Sequence, residues 1–435
     1  MRIVVRCQDP RAARTAQEAL ARAGVEALAA PGDSVPLRSL PESEDIVVTP
    51  YETGASETLA QAARSDGRAP LAVIAGLSAT APPAAGLESS AWFDGAIALD
   101  APPALLAAQL AACIRAGVAE EERVRRRATA LALEAPLPAT QEPRSLKALY
   151  IGAPSPLFLS LESMLGDHGG LVAAAFSSFT GFDHLHNESF DAVVLNGAQD
   201  AMTAISLCAA LRRNASLYHL PTMVITAPDD DGTRKAAIDR GASAVVSVSA
   251  PSAPGMGWLF EAIRRERRRN AAEHELRALR DIMGDARTGL FRCSAFETHL
   301  ARLAADHQAS GRALGLAVLR VLPAHGAREP SEQVWSRGFN EIASLAARLI
   351  RDADCGATLG TEYIAVALPA TELRGVRRSA ERIASVAECT AFASGESGSG
   401  PVVFEQSVVE LQPGESGAAL LSRALRAFHF ESASA

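Results

Sequence analysis

Lysine is almost absent. It occurs twice in 435 residues, at Lys147 and Lys235, and arginine carries the rest of the positive charge. Any chemistry that needs a lysine at a fixed place can therefore be tested by position alone. Paired cysteines are missing too. The six cysteines, at 7, 113, 208, 293, 355 and 389, show no Cys-x-x-Cys spacing, which fits reduced thiols and argues against zinc or a disulfide framework. No apolar run reaches the roughly 18 to 20 residues of a membrane-spanning helix, so none is expected. Arg6 interrupts the apolar start Met1–Cys7, which reads as a first strand and not as a secretion signal. Positive charge is not in excess either: a net charge of -8 gives no general attraction for nucleic acid.

What remains is ordinary globular material, 48% hydrophobic and 21% charged, long enough for two or three domains. Residues 1–127 alternate short apolar runs with helical patterns. Arg2–Cys7, Asp45–Val48, Leu71–Ala75 and Gly95–Leu99 read as strands. Arg11–Ala23 and Pro103–Ala116 read as helices, the second running on into Glu120–Arg127. In that charged run, Glu121 with Arg125 and Glu122 with Arg126 are spaced for i,i+4 pairs, and the run is expected to be a solvated face. Residues 128–145, rich in Ala and Pro, read as a linker. Residues 146–268 repeat the first pattern, with strands at Leu146–Ile151, Ala192–Leu195, Met223–Thr226 and Ala244–Val248, and helices at Pro156–Leu165, Ala201–Arg213 and Thr233–Gly241. Strand–helix alternation predicts parallel sheets covered on both faces. Trp258–Met283 reads as one long helix, solvated along Arg264–Glu275 and connecting domains over 269–284. His184-Leu185-His186 lacks a third ligand and is taken as a surface loop.

Both repeats resemble response-regulator receiver domains, the second more closely through F-D-A-V-V-L-N, P-T-M-V-I-T-A and R-G-A-S-A-V-V-S. Receiver chemistry needs acids after the first strand for Mg²⁺, an acceptor aspartate after the third and a lysine after the fifth. In the second repeat the first strand ends Gly152-Ala153-Pro154, the acceptor position is Asn196 and the lysine position falls near Ala250; Thr226 alone matches. In the first repeat Asp9 is a candidate metal acid, but the third strand ends Thr49-Pro50 and the fifth is followed by Asp100-Ala101-Pro102. Both are expected to be pseudo-receivers without phosphoryl chemistry.

From Asp285 onward the chain resembles a GGDEF (diguanylate cyclase) domain. The stretch D-A-R-T-G-L-F-R-C-S-A-F keeps Thr288, Gly289, Leu290 and Phe296 of that family's entry motif, and Ala380-Glu381-Arg382-Ile383 matches its A-E-R-I. The ungapped reading gives strands at Leu314–Val321 and Ile364–Leu368, helices at Phe339–Ile350 and Leu373–Val386, and the family's proline at Pro369. The expected fold is thus two receiver-like (βα)5 doubly wound domains, 1–127 and 146–268, followed by a nucleotidyl-cyclase-like α+β domain, 285–435.

A cyclase joins two GTP molecules and needs carboxylates for two metal ions. By this resemblance the metal aspartate is replaced by Leu319, or by Arg320 if shifted by one residue. A phenylalanine–lysine pair becomes Pro323-Ala324, guanine-reading residues fall at Ala327 and Ser336, and a phosphate-binding lysine becomes Ser432. The signature hairpin reads Gly360-Thr361-Glu362-Tyr363. A degenerate active site is implied, with no catalysis, no metal and no cofactor. Arg351-x-x-Asp354, by contrast, matches the family's inhibitory site for cyclic di-GMP, and Arg382 falls at the position of a second arginine of that site. Arginine offers a bidentate fork to guanine O6 and N7, and aspartate accepts from its N–H edge.

The whole arrangement resembles receiver–receiver–GGDEF effectors of the alphaproteobacterial cell cycle. That resemblance implies a homodimeric, cytoplasmic cyclic di-GMP receptor recruited to a cell pole, with partners of the RcdA, CtrA and ClpXP type. A residual or regulated diguanylate cyclase and a phosphorylation-dependent response regulator remain as alternatives.

Overall fold

The structure, a computed structural model, describes residues 1–31, 45–52, 55–65, 70–80, 92–139, 144–167, 169–249, 252–326, 330–395 and 401–431. It divides into two compact units. One holds residues 2–117 and 140–270; the other holds 118–139 and 271–435, with Met1.

The first unit contains two five-stranded sheets, every neighbouring pair parallel. Strands β1 (Ile3–Cys7), β2 (Ala27–Pro31), β3 (Ile46–Pro50), β4 (Ala72–Leu77) and β5 (Gly95–Ala98) lie in the order β2-β1-β3-β4-β5. Strands β6 (Lys147–Ile151), β7 (Leu171–Ala175), β8 (Ala192–Asn196), β9 (Thr222–Thr226) and β10 (Ala244–Ser247) repeat that order. This 2-1-3-4-5 order is that of the flavodoxin-like doubly wound fold. Uninterrupted apolar triplets such as Ile46–Val48 and Val193–Leu195 are buried on both sides, as a helix-covered parallel sheet requires.

The helices are α1 (Pro10–Arg22), α2 (Ala55–Ser65), α3 (Pro103–Ala132), α4 (Pro156–Asp167), α5 (Ser178–Asn187), α6 (Ala201–Arg213), α7 (Asp231–Asp239) and α8 (Ser252–Met283). Asp9 caps α1, accepting the Arg11 N–H at 2.9 Å, and Pro10 opens the helix. Helix α3 is long and apolar enough, by length and composition, to cross a bilayer. Its inward residues Leu106, Leu110 and Cys113 are instead buried in the protein.

The two sheets share one apolar core. It joins Val47, Val73 and Ala96 of the first to Tyr150, Val194 and Ile225 of the second through Trp258, Leu259 and Ile263 of α8. The Trp258 indole donates to the Ala79 carbonyl at 3.1 Å. The buried Glu261 carboxylate accepts the Ala96 N–H at 3.0 Å and pairs with Arg264 at 2.8 Å. The polar stretch of α8 is therefore not a solvated bridge all round. Arg265 and Arg269 are buried, with Arg269 held by Glu266 at 2.5 Å, because an arginine stem packs as apolar surface while its head stays paired.

The second unit is built on a six-stranded mixed sheet. Strands β11 (Gly284–Asp285), β12 (Leu290–Phe291), β13 (Leu314–Pro323), β14 (Cys355–Leu359), β15 (Tyr363–Pro369) and β16 (Val402–Glu410) lie in the order β11-β12-β14-β15-β13-β16. Alternate residues of β13 feed two cores. Leu314, Leu316 and Val318 pack with α9 (Cys293–Ser310) and α12 (Gly417–Glu431), and Ala317, Leu319 and Val321 with α10 (Glu332–Leu349) and α11 (Leu373–Ala387).

Two expectations are corrected here. The segment from 128, read as linker, begins inside α3, whose Ala130 is fully buried. His184 and His186 lie on α5, where His184 pairs with Glu188 at 3.2 Å, so a helix and not a loop carries them.

Trp258→Ala should remove the ring that joins the two sheet cores and lower the unfolding free energy of the first unit by about 3–5 kcal/mol. Urea unfolding followed by far-UV circular dichroism measures it.

Candidate functional site

The candidate site is the turn between α10 and β14. Helix α10 ends at Leu349, and Ile350 takes an extended conformation. Residues 351–354 then close on themselves twice: the Asp354 N–H donates to the Arg351 carbonyl at 3.0 Å, and the Arg351 N–H donates to the Asp354 carboxylate at 2.9 Å. The Arg351 side chain is exposed, whereas Asp354 is only 5% exposed. Burial pushes the Asp354 carboxyl up to about 6, against the lowering pull of the Arg351 N–H and the Arg351 and Arg126 guanidiniums. Arg382, exposed on α11, donates to the Leu349 carbonyl at 2.8 Å. That bond caps the last turn of α10, so the second arginine reaches the residue two places before Arg351. All three predicted binding residues thus meet at the C-terminal end of one helix.

Behind the turn lies a charged network that sequence reasoning placed in solvent. Glu121 pairs with Arg125 at 2.6 Å and Glu122 with Arg126 at 2.8 Å, so the i,i+4 spacing is realised. The face is not solvated. Glu122 is 0% and Arg126 1% exposed, and Arg125 is also buried, reaching Asp306 at 2.9 Å. His299 of α9 lies 2.8 Å from Glu122 through Nε2 and 2.9 Å from the Thr129 hydroxyl through Nδ1. Burial alone would raise the Glu122 carboxyl; His299, Arg126 and Arg125 together bring it down to about 2. The Arg126 guanidinium donates to the Asp354 carbonyl at 2.8 Å and lies 5.2 Å from the Phe291 ring centroid. A run whose charges nearly cancel can be buried or solvated, and spacing does not separate the two.

The hairpin formed by β14 and β15 carries the other predicted residues. Gly360 has φ +69, a left-handed turn conformation that favours glycine. The Thr361 carbonyl accepts the Trp335 indole N–H at 2.9 Å. Sequence leaves open whether Leu319 or Arg320 matches the position of a cyclase's metal aspartate, and the two lie on opposite faces of β13. Leu319 is 1% exposed among α10 and α11 side chains, opposite Ile364, and does not line the site. Arg320 faces the other way. It lies 3.7 Å from Glu362, 3.5 Å from Glu405 and 5.6 Å from the Tyr363 ring centroid. The retained hairpin carboxylate therefore has an arginine as its neighbour. Among the described residues no group of three or more His, Cys, Asp or Glu side chains converges. Ser336 lies on α10, while Ala327 and Ser432 fall outside the described residues.

At the receiver positions, Thr49 is fully buried and its hydroxyl has no hydrogen-bond partner among the described residues. The Asn196 amide donates to the Ala153 carbonyl at 2.8 Å and its oxygen accepts the Ala198 N–H at 3.2 Å, which ties off both ends of the side chain. Asp9 serves as the α1 cap, and Asp100 accepts from the Ser78 hydroxyl at 2.6 Å and the Ala79 N–H. Ala250 is outside the described residues.

No family model matches the chain, and no curated protein does. Solved structures similar to parts of it include the GGDEF domain of DgcB from Caulobacter crescentus in complex with c-di-GMP, at 22% identity over 35% of this chain and 91% of that one, TM-score 0.27. Another is the diguanylate cyclase SiaD in complex with its activator SiaC from Pseudomonas aeruginosa, at 22% identity over 40% of this chain and 68% of that one, TM-score 0.31. A third is a putative response regulator from Chloroflexus aurantiacus J-10-fl, at 19% identity over 30% of this chain and 98% of that one, TM-score 0.24.

The Asp354 carboxyl makes a pH-dependent prediction. Between the ordinary aspartate value of 3.8 and about 6, the folded chain holds a proton that the unfolded chain has lost. Stability therefore falls as pH rises through that window, and keeping Asp354 ionised at pH 7 costs on the order of 3 kcal/mol. Asp354→Asn keeps an acceptor for the Arg351 N–H and is expected to be more stable than wild type at pH 7.5 by roughly 1–3 kcal/mol. The difference should nearly vanish at pH 4. Urea unfolding at the two pH values checks it, and a variant weaker than wild type at pH 7.5 contradicts it.

Proposed function

We propose that this protein is a non-catalytic receptor for cyclic di-GMP that binds the dinucleotide at Arg351, Asp354 and Arg382. The observation that carries the reading is the convergence of these three residues at the end of α10. Two exposed arginines there offer a fork for a guanine edge or a phosphate, and the buried carboxylate is an acceptor for a guanine N–H. A group whose ionised form is held at a cost to stability, beside exposed cations, is the kind found at binding and catalytic sites.

The same reading treats the hairpin as spent for catalysis. Two-metal phosphoryl transfer relies on carboxylates free to hold cations. Here Glu362 and Glu405 share the neighbourhood of Arg320, a fixed positive charge. The receiver-like domains, with Asn196 and Thr49 at the acceptor positions, serve as protein–protein modules. In this account the chain is a PopA-like effector: a cytoplasmic homodimer, drawn to a cell pole when loaded, that brings a regulator of the CtrA type to ClpXP with an RcdA-type adaptor.

Isothermal calorimetry with cyclic di-GMP tests the core of this. Wild type should bind, and Arg351→Ala should weaken binding by about 100-fold, the loss of a charge-assisted bidentate contact. GTP incubated with Mg²⁺ or Mn²⁺ should yield no cyclic product. Equal affinity in the variant would overturn the site, and product formation would overturn the non-catalytic assignment.

A further inference from the structure

We infer that Arg126 is a positioning residue for the ligand turn, and that through it occupancy of the turn is coupled to the 118–132 segment of α3. The inference rests on the reading of residues 351–354 as a cyclic di-GMP site and names a part that no motif of that site contains.

Each residue between Arg351 and Cys355 is tied to a helix. Asp352 pairs with Arg277 of α8 at 2.6 Å. Ala353 packs in an apolar cluster with Ala119 of α3 and with Ala272 and Leu276 of α8. The Asp354 carbonyl accepts from Arg126 at 2.8 Å. The turn is thus clamped through a side chain, an apolar contact and the backbone.

Arg126 is the deepest of these ties. Its Nε donates to Glu122 and one terminal nitrogen to the Asp354 carbonyl, so one planar fork spans the helix and the turn. Glu122 is fixed from behind by His299, and His299 stacks on Phe291, the ring that also lies under Arg126. A cation this buried has no solvated alternative position. A ligand that draws on the Asp354 carboxylate and the Arg351 fork must therefore either accept the turn as Arg126 holds it or move Arg126, and with it α3. Either way, binding and the order of α3 are linked.

Hydrogen exchange read by mass spectrometry, on the full chain with and without cyclic di-GMP, tests the coupling. Ligand should slow exchange across 118–132 by at least about threefold in wild type. Two variants separate positioning from folding. Arg126→Lys keeps a charge beside Glu122 but has no fork to reach Asp354 as well. Glu122→Gln/Arg126→Gln removes both charges, so neither is left buried alone. Both should retain a cooperative unfolding transition, bind cyclic di-GMP at least about tenfold more weakly, and lose the ligand-induced slowing in α3. If both bind as tightly as wild type, or if bound ligand leaves α3 exchange unchanged, the inference is wrong while the site reading stands. If wild type shows no binding that Arg351→Ala removes, the site reading itself fails, and this inference with it.

Discussion

A buried ion pair organises the C-terminal unit. Arg126 and Glu122 are both removed from water, and neither is tolerable there without the other. Around them the chain supplies His299, the Phe291 ring and two backbone carbonyls, those of Leu276 and Asp354. Such a pair adds little net stability compared with apolar side chains of the same volume, but it fixes geometry. What it fixes here is the turn on which Arg351 is displayed. Arg351 and Arg382 are exposed, the support behind them is dry, and the Arg126 guanidinium reaches from that support to the Asp354 carbonyl.

The stretch 351–363 is where sequence and structure are best compared. It contains an Arg-x-x-Asp pair and a Gly-Thr-Glu-Tyr hairpin nine residues from Arg351 to Gly360, and strand β14 separates them. Their surroundings differ in kind. At the turn, cations are exposed and a carboxylate is held where ionisation is disfavoured. At the hairpin, the carboxylate is half exposed and already has a cation beside it. The first arrangement suits an incoming guanine or phosphate, whereas at the second one arginine is shared by two carboxylates.

Much of the architecture was legible because apolar runs and helix punctuation are local. Ile46–Val48 and Val193–Leu195 are too apolar to be anything but two-sided core strands, and Ala201–Arg213 was bounded by its own periodicity. Strands β2, β7 and β16 were not seen: Ala27–Pro31 and Leu171–Ala175 are alanine-rich edges with little β propensity, and β16, Val-Val-Phe-Glu-Gln-Ser-Val-Val-Glu, lacks the period-two alternation that marks a half-buried strand. Arg351, Asp354 and Arg382 were singled out through motif spacing, and the structure sets them at the end of one helix. Leu319 and Arg320 stayed alternatives for one position, because strand register decides which of two neighbours faces the hairpin. The Glu122–Arg126 pair was paired correctly but put in solvent, since burial of a charged helix face is set by residues 150 to 228 positions away in sequence.

The central claim is that the nucleotide engages the turn and not the hairpin. Side-chain ¹⁵N NMR of the arginine guanidinium groups during a cyclic di-GMP titration tests it most directly. The account predicts that the Nε resonances of Arg351 and Arg382 shift with ligand while that of Arg320 stays in place. Movement of Arg320 with Arg351 unchanged would contradict it.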